Sequence, residues 1–358
     1  MRTYFYIAVL VIGSGCDLRS DLPIEASPTD EQNASAAQEG LEKAGNEQRG
    51  YIYVTNSDAG TVTILDAQVV KVSDVEVGSD PGEIEIMPGG LPAAGTVYIA
   101  NYMSGSVSIV DAEGTATATV KVGENPAGLA IAPPDTPNAG AIYVANGGDH
   151  TVSIMALDGT IRATIPVGEF PDGVAVAPAN TPKAGTIYVS NYKDASVSVI
   201  DPSGNPVDTI SVGREPYGVD VAGSGLPNAG KVYVANYRDN TVSVISPGGT
   251  VETTLKVGKG PIGVAIAPPN TAAAGTLYVT NYDDSTVSII PPNAKAGSTI
   301  AVPKGPSGIA IASADAPIPG MVAITNYDAG SVTRLRPDGT TISTTEIGTR
   351  PSRLTIAP

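Results

Sequence analysis

The sequence predicts an all-β fold, a seven-bladed β-propeller whose blades are four-stranded antiparallel sheets. Three observations carry this prediction. A tetrapeptide ending in Asn recurs seven times at steps of 45 residues, a proline keeps the same period, and each period holds four short apolar stretches separated by Gly, Pro and Asn. Repeats of roughly 40 to 50 residues with several short strands per unit are typical of propellers.

The recurring tetrapeptide reads Tyr-Val-Thr-Asn at 53–56 and diverges most in the last repeat, where it reads Ala-Ile-Thr-Asn at 323–326. Its Asn residues are Asn56, Asn101, Asn146, Asn191, Asn236, Asn281 and Asn326. The periodic prolines are Pro81, Pro126, Pro171, Pro216, Pro261, Pro306 and Pro351. An Asn at a strand end can bond its own backbone two residues on, so we expect these Asn side chains to begin the turns after the strands.

One period, residues 126–170, shows the four strands of a blade. Alternating or apolar stretches at 128–132, 141–145, 151–155 and 163–167 are taken as strands A, B, C and D. Both faces of strand B are apolar, as expected for a sheet packed between two neighbouring blades. The repeat is therefore predicted to form one blade.

The two ends of the repeat region complement each other. The region opens with a B-type stretch at 51–55 and closes with an A-type stretch at 353–357. The last strand is therefore predicted to complete the first blade and close the ring, which removes exposed sheet edges. An open solenoid is the alternative.

Composition excludes several kinds of function. The formal charge of −16 repels phosphate backbones, so we expect no nucleic-acid partner. One Cys, one His and no Trp cannot supply a Cys/His zinc cage, an internal disulfide, or the ligands and aromatic platforms that haem and quinone propellers use. We expect no cofactor, and no catalytic or metal-binding set stands out.

The first fifty residues differ from the repeats. A basic start and a nine-residue apolar run are followed by Cys16, the only cysteine. The run is too short to span a bilayer but suits a signal peptide. The segment resembles a bacterial lipoprotein signal, which implies a signal peptide at 1–15, a lipidated Cys16 and a flexible acidic tether at 16–50. The alternative is an ordinary signal cleaved nearby.

The tetrapeptides, with Pro-x-Gly before strand A and Thr/Ser-Val-Ser on strand C, resemble the YVTN family of β-propeller repeats over residues 51–358. The resemblance implies a seven-bladed propeller of a bacterial or archaeal surface or extracytoplasmic protein. Together with the lipoprotein signal, it leads us to expect a monomeric propeller, anchored by lipid to the bacterial cell envelope on the extracytoplasmic side.

Function is sought where the repeats differ, on the face that carries the D to A loops and the B to C turns. Tyrosine offers apolar area with a polar tip, which suits a binding surface. Charges in the D to A loops and the single imidazole complete the candidate ligand-binding set. Its members are Tyr102, Tyr192, Tyr237, Tyr282, Tyr327, His150, Arg214 and Glu169.

Two functions remain open at this point. The first is a binding or interaction module whose top-face funnel takes an unknown protein, small molecule or glycan. The second is a lactonase-like hydrolase or a lyase that uses an oxygen-ligand metal or a polar site in the same funnel. The second requires residues such as His150, Glu124, Glu169 and Arg214 to converge within hydrogen-bond reach.

Overall fold

The computed structural model describes residues 49–348 and 350–358. The predicted signal peptide, Cys16 and nearly all of the tether lie outside these residues. The described residues form 28 strands in seven four-stranded antiparallel sheets, without helices. This confirms the predicted fold class. No helix long and apolar enough to cross a membrane occurs in this part of the chain.

Each sheet is one blade, with strands in the order A, B, C, D from the centre outward. Blade 1 combines the last strand of the chain with the first three strands, and blades 2 to 7 follow in chain order. The A strands are β4 (Pro81–Ile86), β8 (Pro126–Ile131), β12 (Pro171–Val176), β16 (Pro216–Val221), β20 (Pro261–Ile266), β24 (Pro306–Ile311) and β28 (Pro351–Ile356). The B strands are β1 (Ile52–Asn56), β5 (Val97–Asn101), β9 (Ile142–Asn146), β13 (Ile187–Asn191), β17 (Val232–Asn236), β21 (Leu277–Asn281) and β25 (Val322–Asn326).

The C and D strands form the outer half of each blade. The C strands are β2 (Thr61–Leu65), β6 (Ser106–Val110), β10 (Thr151–Met155), β14 (Ser196–Ile200), β18 (Thr241–Ile245), β22 (Thr286–Ile290) and β26 (Ser331–Leu335). The D strands are β3 (Lys71–Glu76), β7 (Ala116–Lys121), β11 (Ile161–Pro166), β15 (Pro206–Ser211), β19 (Val251–Lys256), β23 (Ser298–Ala301) and β27 (Thr341–Glu346).

The ring closes as predicted. Strand β28 pairs antiparallel with β1, with Ile52 opposite Ile356 and Val54 opposite Leu354. Blade 1 therefore joins the two ends of the propeller. Neighbouring A strands lie against one another around the central axis, so their side chains line the central channel.

The hydrophobic core lies between neighbouring blades. Strand B is buried along its whole length in every blade, and side chains of adjacent sheets form separate apolar clusters, such as the one that contains Ile99 of blade 2 and Val62 of blade 1. The D strands are largely exposed. Packing on both faces of strand B explains why its apolar residues do not alternate with polar ones.

The role predicted for the periodic Asn is right in kind and wrong in its partner. Asn146 Nδ2 donates to Thr151 Oγ1 at 3.0 Å and to Ser153 Oγ at 2.9 Å, both on strand C. The Asn is completely buried at the end of strand B, where hydroxyls of the neighbouring strand are closer than its own turn. It therefore fastens strand B to strand C instead of capping its own backbone.

Candidate functional site

The channel wall is built from one repeated position, the Gly of the Pro-x-Gly motif at the start of strand A. A Cβ on Gly173 would lie 2.5 Å from the carbonyl oxygen of Tyr217, and a Cβ on Gly218 would lie 2.4 Å from that of Ile262. Since real Cβ atoms do not approach so closely, neighbouring A strands can pack this tightly only around Gly. Five blades keep this Gly, at positions 128, 173, 218, 263 and 308.

Two blades replace this Gly with charged residues. Blade 2 carries Glu83 and blade 1 carries Arg353. Arg353 Nε donates to Glu83 Oε2 at 3.2 Å, and the backbone N–H of Arg353 donates to Thr55 Oγ1 at 3.0 Å. An ion pair therefore spans the junction of these two blades inside the channel.

Two other strand A positions depart from the repeat in the same way. Four blades have Ala two residues after the motif Gly, whereas blades 2 and 5 carry Glu85 and Asp220 there. In blades 4 and 5 the residue after the motif Pro is Asp172 and Tyr217. The channel thus acquires its charge at positions that most repeats keep small or apolar.

These side chains share one cavity of about 410 Å³, which is lined by all seven A strands. Its charged residues are Glu83, Glu85, Asp172, Asp220 and Arg353. All five are partly accessible from the channel. The volume falls within the usual range for small-molecule sites, roughly 300 to 1,000 Å³.

The carboxyl groups differ in their partners. Asp220 accepts the backbone N–H of Ile266 at 2.9 Å and that of Val221 at 2.7 Å. Asp172 and Glu85 form no hydrogen bond or ion pair with any residue in the described part of the chain. Neither carboxyl is bonded to a counter-charge. The charge of Arg353 opposes the effect of burial on the pKa of Asp172, whereas no basic group acts on Glu85 in this way.

Burial and mutual repulsion raise the pKa values of these carboxyls. Burial, followed by the charges of Glu83 and Asp220, raises the pKa of Glu85 to about 8. Burial also raises the pKa of Asp172 to about 6 and that of Asp220 to about 6. Removing a charge from water disfavours the ionised form, and nearby negative charges add to that effect. The cavity therefore changes its charge over the physiological pH range.

A row of aromatic rings lies near the cavity without being part of its lining. Burial, followed by the charge of Asp172, raises the pKa of Tyr217 in this row. Ring centroids are 6.2 Å apart between Phe170 and Tyr192, 5.0 Å between Tyr192 and Tyr217, and 5.5 Å between Tyr217 and Tyr237. Phe170 lies two residues before Asp172, and Tyr217 directly precedes Gly218, which lines the cavity. We call these four residues the aromatic wall.

The five tyrosines predicted to line the rim have different surroundings in the structure. Tyr192 and Tyr237 belong to the aromatic wall, whereas the others do not. Tyr282 donates its hydroxyl to Asp328 of the next blade at 3.1 Å, and Tyr237 likewise reaches Asp283 at 3.1 Å. The Arg350 guanidinium lies 5.6 Å from the ring centroid of Tyr327. Along this arc, tyrosines link neighbouring blades.

Tyr102 is the fifth predicted tyrosine, and it lies in a separate open groove between blades 2 and 3. Exposed Met103 and Lys121 line the same groove. Burial, followed by the charge of Asp172, raises the pKa of Tyr102. Tyr102 therefore lies within electrostatic range of the cavity, although it is not part of the aromatic wall.

His150 holds the backbone of a neighbouring loop. Its Nδ1 accepts the N–H of Phe170 at 3.0 Å. At the same position of blade 5, Asn240 Oδ1 accepts the N–H of Gly260, also at 3.0 Å. His150 thus fixes the loop that carries Phe170, the first residue of the aromatic wall.

The remaining predicted residues lie apart on the exposed rim. Arg214 pairs with Asp239 at 2.6 Å, and its side chain is 68% exposed. The backbone N–H of Glu169 donates to Asp194 at 2.6 Å, and that of Glu124 donates to Asp149 at 2.8 Å. Within residues 49–348 and 350–358, no hydrogen bond or ion pair joins any two of His150, Glu124, Glu169 and Arg214.

Sequence reasoning missed the channel residues, although a signal for them exists. The signal is the presence of charged residues on strand A where most repeats have Gly, Ala or an uncharged residue, namely Asp172, Asp220, Glu83, Glu85 and Arg353. The prediction considered only residues in the loops and turns, and these five residues lie in strands. Among the described residues, including those of the channel, no group of three or more His, Cys, Asp or Glu side chains is placed to share one metal ion.

Comparison with known proteins supports the fold. Neither the family models nor the curated proteins compared with this chain match it. A functionally unknown protein from Desulfotomaculum acetoxidans is similar in structure, with a TM-score of 0.70 at 14% identity over 86% of this chain and 98% of that one. Kuenenia stuttgartiensis hydrazine synthase has a TM-score of 0.66 at 19% identity over 80% of this chain and 92% of that chain.

A third similar structure is the virginiamycin B lyase of Staphylococcus aureus. Its TM-score is 0.61 at 14% identity, over 82% of this chain and 87% of that one. At such identities the similarity establishes the architecture only. The chain is thus a seven-bladed β-propeller with a charged central cavity and an aromatic wall beside it.

Proposed function

We propose that this protein is a binding module that takes a small, ring-containing ligand at the mouth of the central channel. The observation that carries the proposal is the aromatic wall next to the cavity. The edge-to-face and tilted rings offer apolar faces and edges, and the tyrosines add polar tips, a combination that suits contact with an aromatic or sugar ring. The cavity beside the wall gives the remainder of the ligand a place to enter.

We further propose that the propeller works outside the cytoplasm, anchored by lipid at Cys16 to the bacterial cell envelope and belonging to the YVTN propellers. The apolar run before Cys16 and the seven tetrapeptides support this. Residues 16–50 would then act as a spacer between the membrane and the ring. Metabolic labelling of the chain with a palmitate analogue, lost in Cys16→Ser, tests the anchor.

Binding of 2-phenylethanol, a neutral ring-bearing probe, tests the main proposal. The chain has no Trp, so tyrosine fluorescence and tyrosine ring NMR signals report binding without interference. We expect the probe to shift the Tyr192 and Tyr217 ring signals, and Tyr192→Ala to abolish the effect. The matched control is Tyr282→Ala, at the same repeat position outside the wall. Equal loss in both variants, or no shift in the unmodified chain, would contradict the proposal.

A lyase or hydrolase function is the second candidate. It is supported by the similar fold of a lyase and by Asp172, whose pKa of about 6 would let it act as a general acid or base. Consumption of a cyclic ester such as γ-butyrolactone, followed by acid release, tests it. Turnover that Asp172→Asn removes would support an enzyme over a binding module.

A further inference from the structure

The cavity beside the aromatic wall carries an excess of negative charge. Four carboxyl groups and one guanidinium line it, and the Glu83–Arg353 pair neutralises only one carboxylate. Backbone N–H groups compensate Asp220, whereas Asp172 and Glu85 have no partner among the described residues. A confined carboxylate without a partner is unfavourable, because it has lost water and gained nothing in exchange.

No other strand of the channel wall offsets this charge. Strands β8, β20 and β24 contribute only uncharged residues to the lining, among them Ala130, Ala265 and Ala310. Arg353 on β28 is the cavity's single basic group and is already paired. The charges of Arg353 and Glu83 act on the pKa of Asp172 in opposite directions. The charge of Asp172 also acts on Tyr102, Tyr192 and Tyr217 at the mouth, and these tyrosines add no positive charge.

We infer that the ligand carries a positively charged group, which lies against Asp172 while the ring of the same ligand lies on the aromatic wall. This inference rests on the proposed function and adds the charge of the ligand to it. An organic cation would give Asp172 a directly bonded counter-charge, which Arg353 does not provide because it is bonded to Glu83. The tyrosine faces beside it would also attract the cation. Phe170 and Asp172 are two residues apart, so ring and charge can be separated by a short linker.

Binding of such a cation is linked to protons. Burial raises the pKa of Asp172 to about 6 and, with nearby carboxylates, that of Glu85 to about 8, so the empty cavity holds protons near neutrality. A cation stabilises the ionised forms and lowers these pKa values. Affinity should therefore rise from pH 5.5 to pH 8, and binding should release protons to the buffer.

Three probes that share one ring test the charge of the ligand with the full chain. They are 2-phenylethylammonium, neutral 2-phenylethanol and the 3-phenylpropionate anion. We expect the cation to bind at least about tenfold more tightly than the alcohol, and the anion most weakly. Asp172→Asn should weaken the cation by about fivefold or more and leave the alcohol nearly unchanged. The matched control is Glu113→Gln, which removes one carboxylate from an exposed turn outside the site and should have little effect.

The outcomes separate the two proposals. If all three probes bind equally at the aromatic wall, the ring site stands and the inferred positive charge is wrong. If none of them shifts the Tyr192 and Tyr217 signals, the proposed function itself fails. If Glu113→Gln weakens binding of the cation as much as Asp172→Asn, the preference comes from general surface charge and the inference is overturned.

Discussion

Arg353 and Glu83 form an ion pair inside the channel, with 3.2 Å between Arg353 Nε and Glu83 Oε2. The pair joins β28, the last of the 28 strands, to β4, strand A of blade 2. Both replace a Gly that five other blades retain. These two blades therefore place charged side chains in the channel wall at a position where the other five have no side chain. The ion pair also links the strand that closes the ring to the neighbouring blade.

Removing one partner of this pair should destabilise the propeller. Arg353→Gln leaves Glu83 in the cavity with three other carboxyls and no counter-charge. We expect a loss of about 1 to 3 kcal/mol in the free energy of unfolding, less than for a fully buried pair, since both groups are partly accessible. Urea denaturation at pH 7 measures this loss. The double variant with Glu83→Gln should recover most of it, and a double variant no better than Arg353→Gln would contradict the explanation.

Stability should fall as the pH rises. The pKa values of about 6 for Asp172 and Asp220 and about 8 for Glu85 lie above those of unfolded carboxyls. The folded state therefore binds more protons than the unfolded state between about pH 4 and pH 8, and its stability decreases across that interval. We expect a decrease on the order of 5 kcal/mol between pH 5 and pH 8.5, of which Glu85 contributes the largest share.

Glu85→Gln isolates the upper part of this pH dependence. Because Gln does not titrate, the decrease between pH 7 and pH 8.5 should nearly vanish, and the decrease below pH 7 should shrink to the part that Asp172 and Asp220 contribute. Denaturation midpoints at pH 5, 7 and 8.5 measure both parts. A profile in Glu85→Gln identical to that of the unmodified chain would show that Glu85 does not titrate in this range.

The close approach of A strands predicts a strong effect at Gly173. A Cβ there would meet the Tyr217 carbonyl oxygen at 2.5 Å, so Gly173→Ala must push two blades apart. We expect a loss of about 2 kcal/mol or more in the free energy of unfolding. Gly223→Ala is the matched control, because a Cβ at Gly223 would meet nothing within 4 Å. Similar midpoints for the two variants would contradict the tight packing.

The hydrogen bond from Phe170 to His150 predicts which substitutions are tolerated. Asn240 accepts the equivalent bond in blade 5, so His150→Asn should keep both stability and probe binding. His150→Ala leaves the Phe170 N–H without this acceptor and should cost about 0.5 to 1.5 kcal/mol. Thermal unfolding of both variants measures the difference. Loss of probe binding in a stable His150→Asn chain would instead give the imidazole a direct role.

The fold is predictable from the sequence because the same pattern of four short strands recurs seven times. Residues with one role in every blade, such as Asn146 and Gly173, stand out from a single chain by self-alignment. The closing of the ring by β28 followed from the strand types at the two ends. The partner of the Asn side chain did not follow, because it depends on which strand C hydroxyls lie opposite.

The site was harder to predict, since its residues are exceptions to the repeat. The tyrosines of the rim were recognised, but only contacts in three dimensions separate Tyr192 in the aromatic wall from Tyr282 in a link between blades. Asp172, Glu85 and Asp220 come from three different periods. Strands far apart in sequence meet in the channel, so their shared cavity is a property of the closed ring.

A crystal structure of the protein with 2-phenylethylammonium shows directly whether a ring-bearing cation binds between the aromatic wall and Asp172. We expect the ring against Tyr192 and Tyr217, with the ammonium nitrogen within roughly 4 Å of the Asp172 carboxylate. A probe found elsewhere, for example in the groove beside Met103 with the aromatic wall empty, would contradict this expectation.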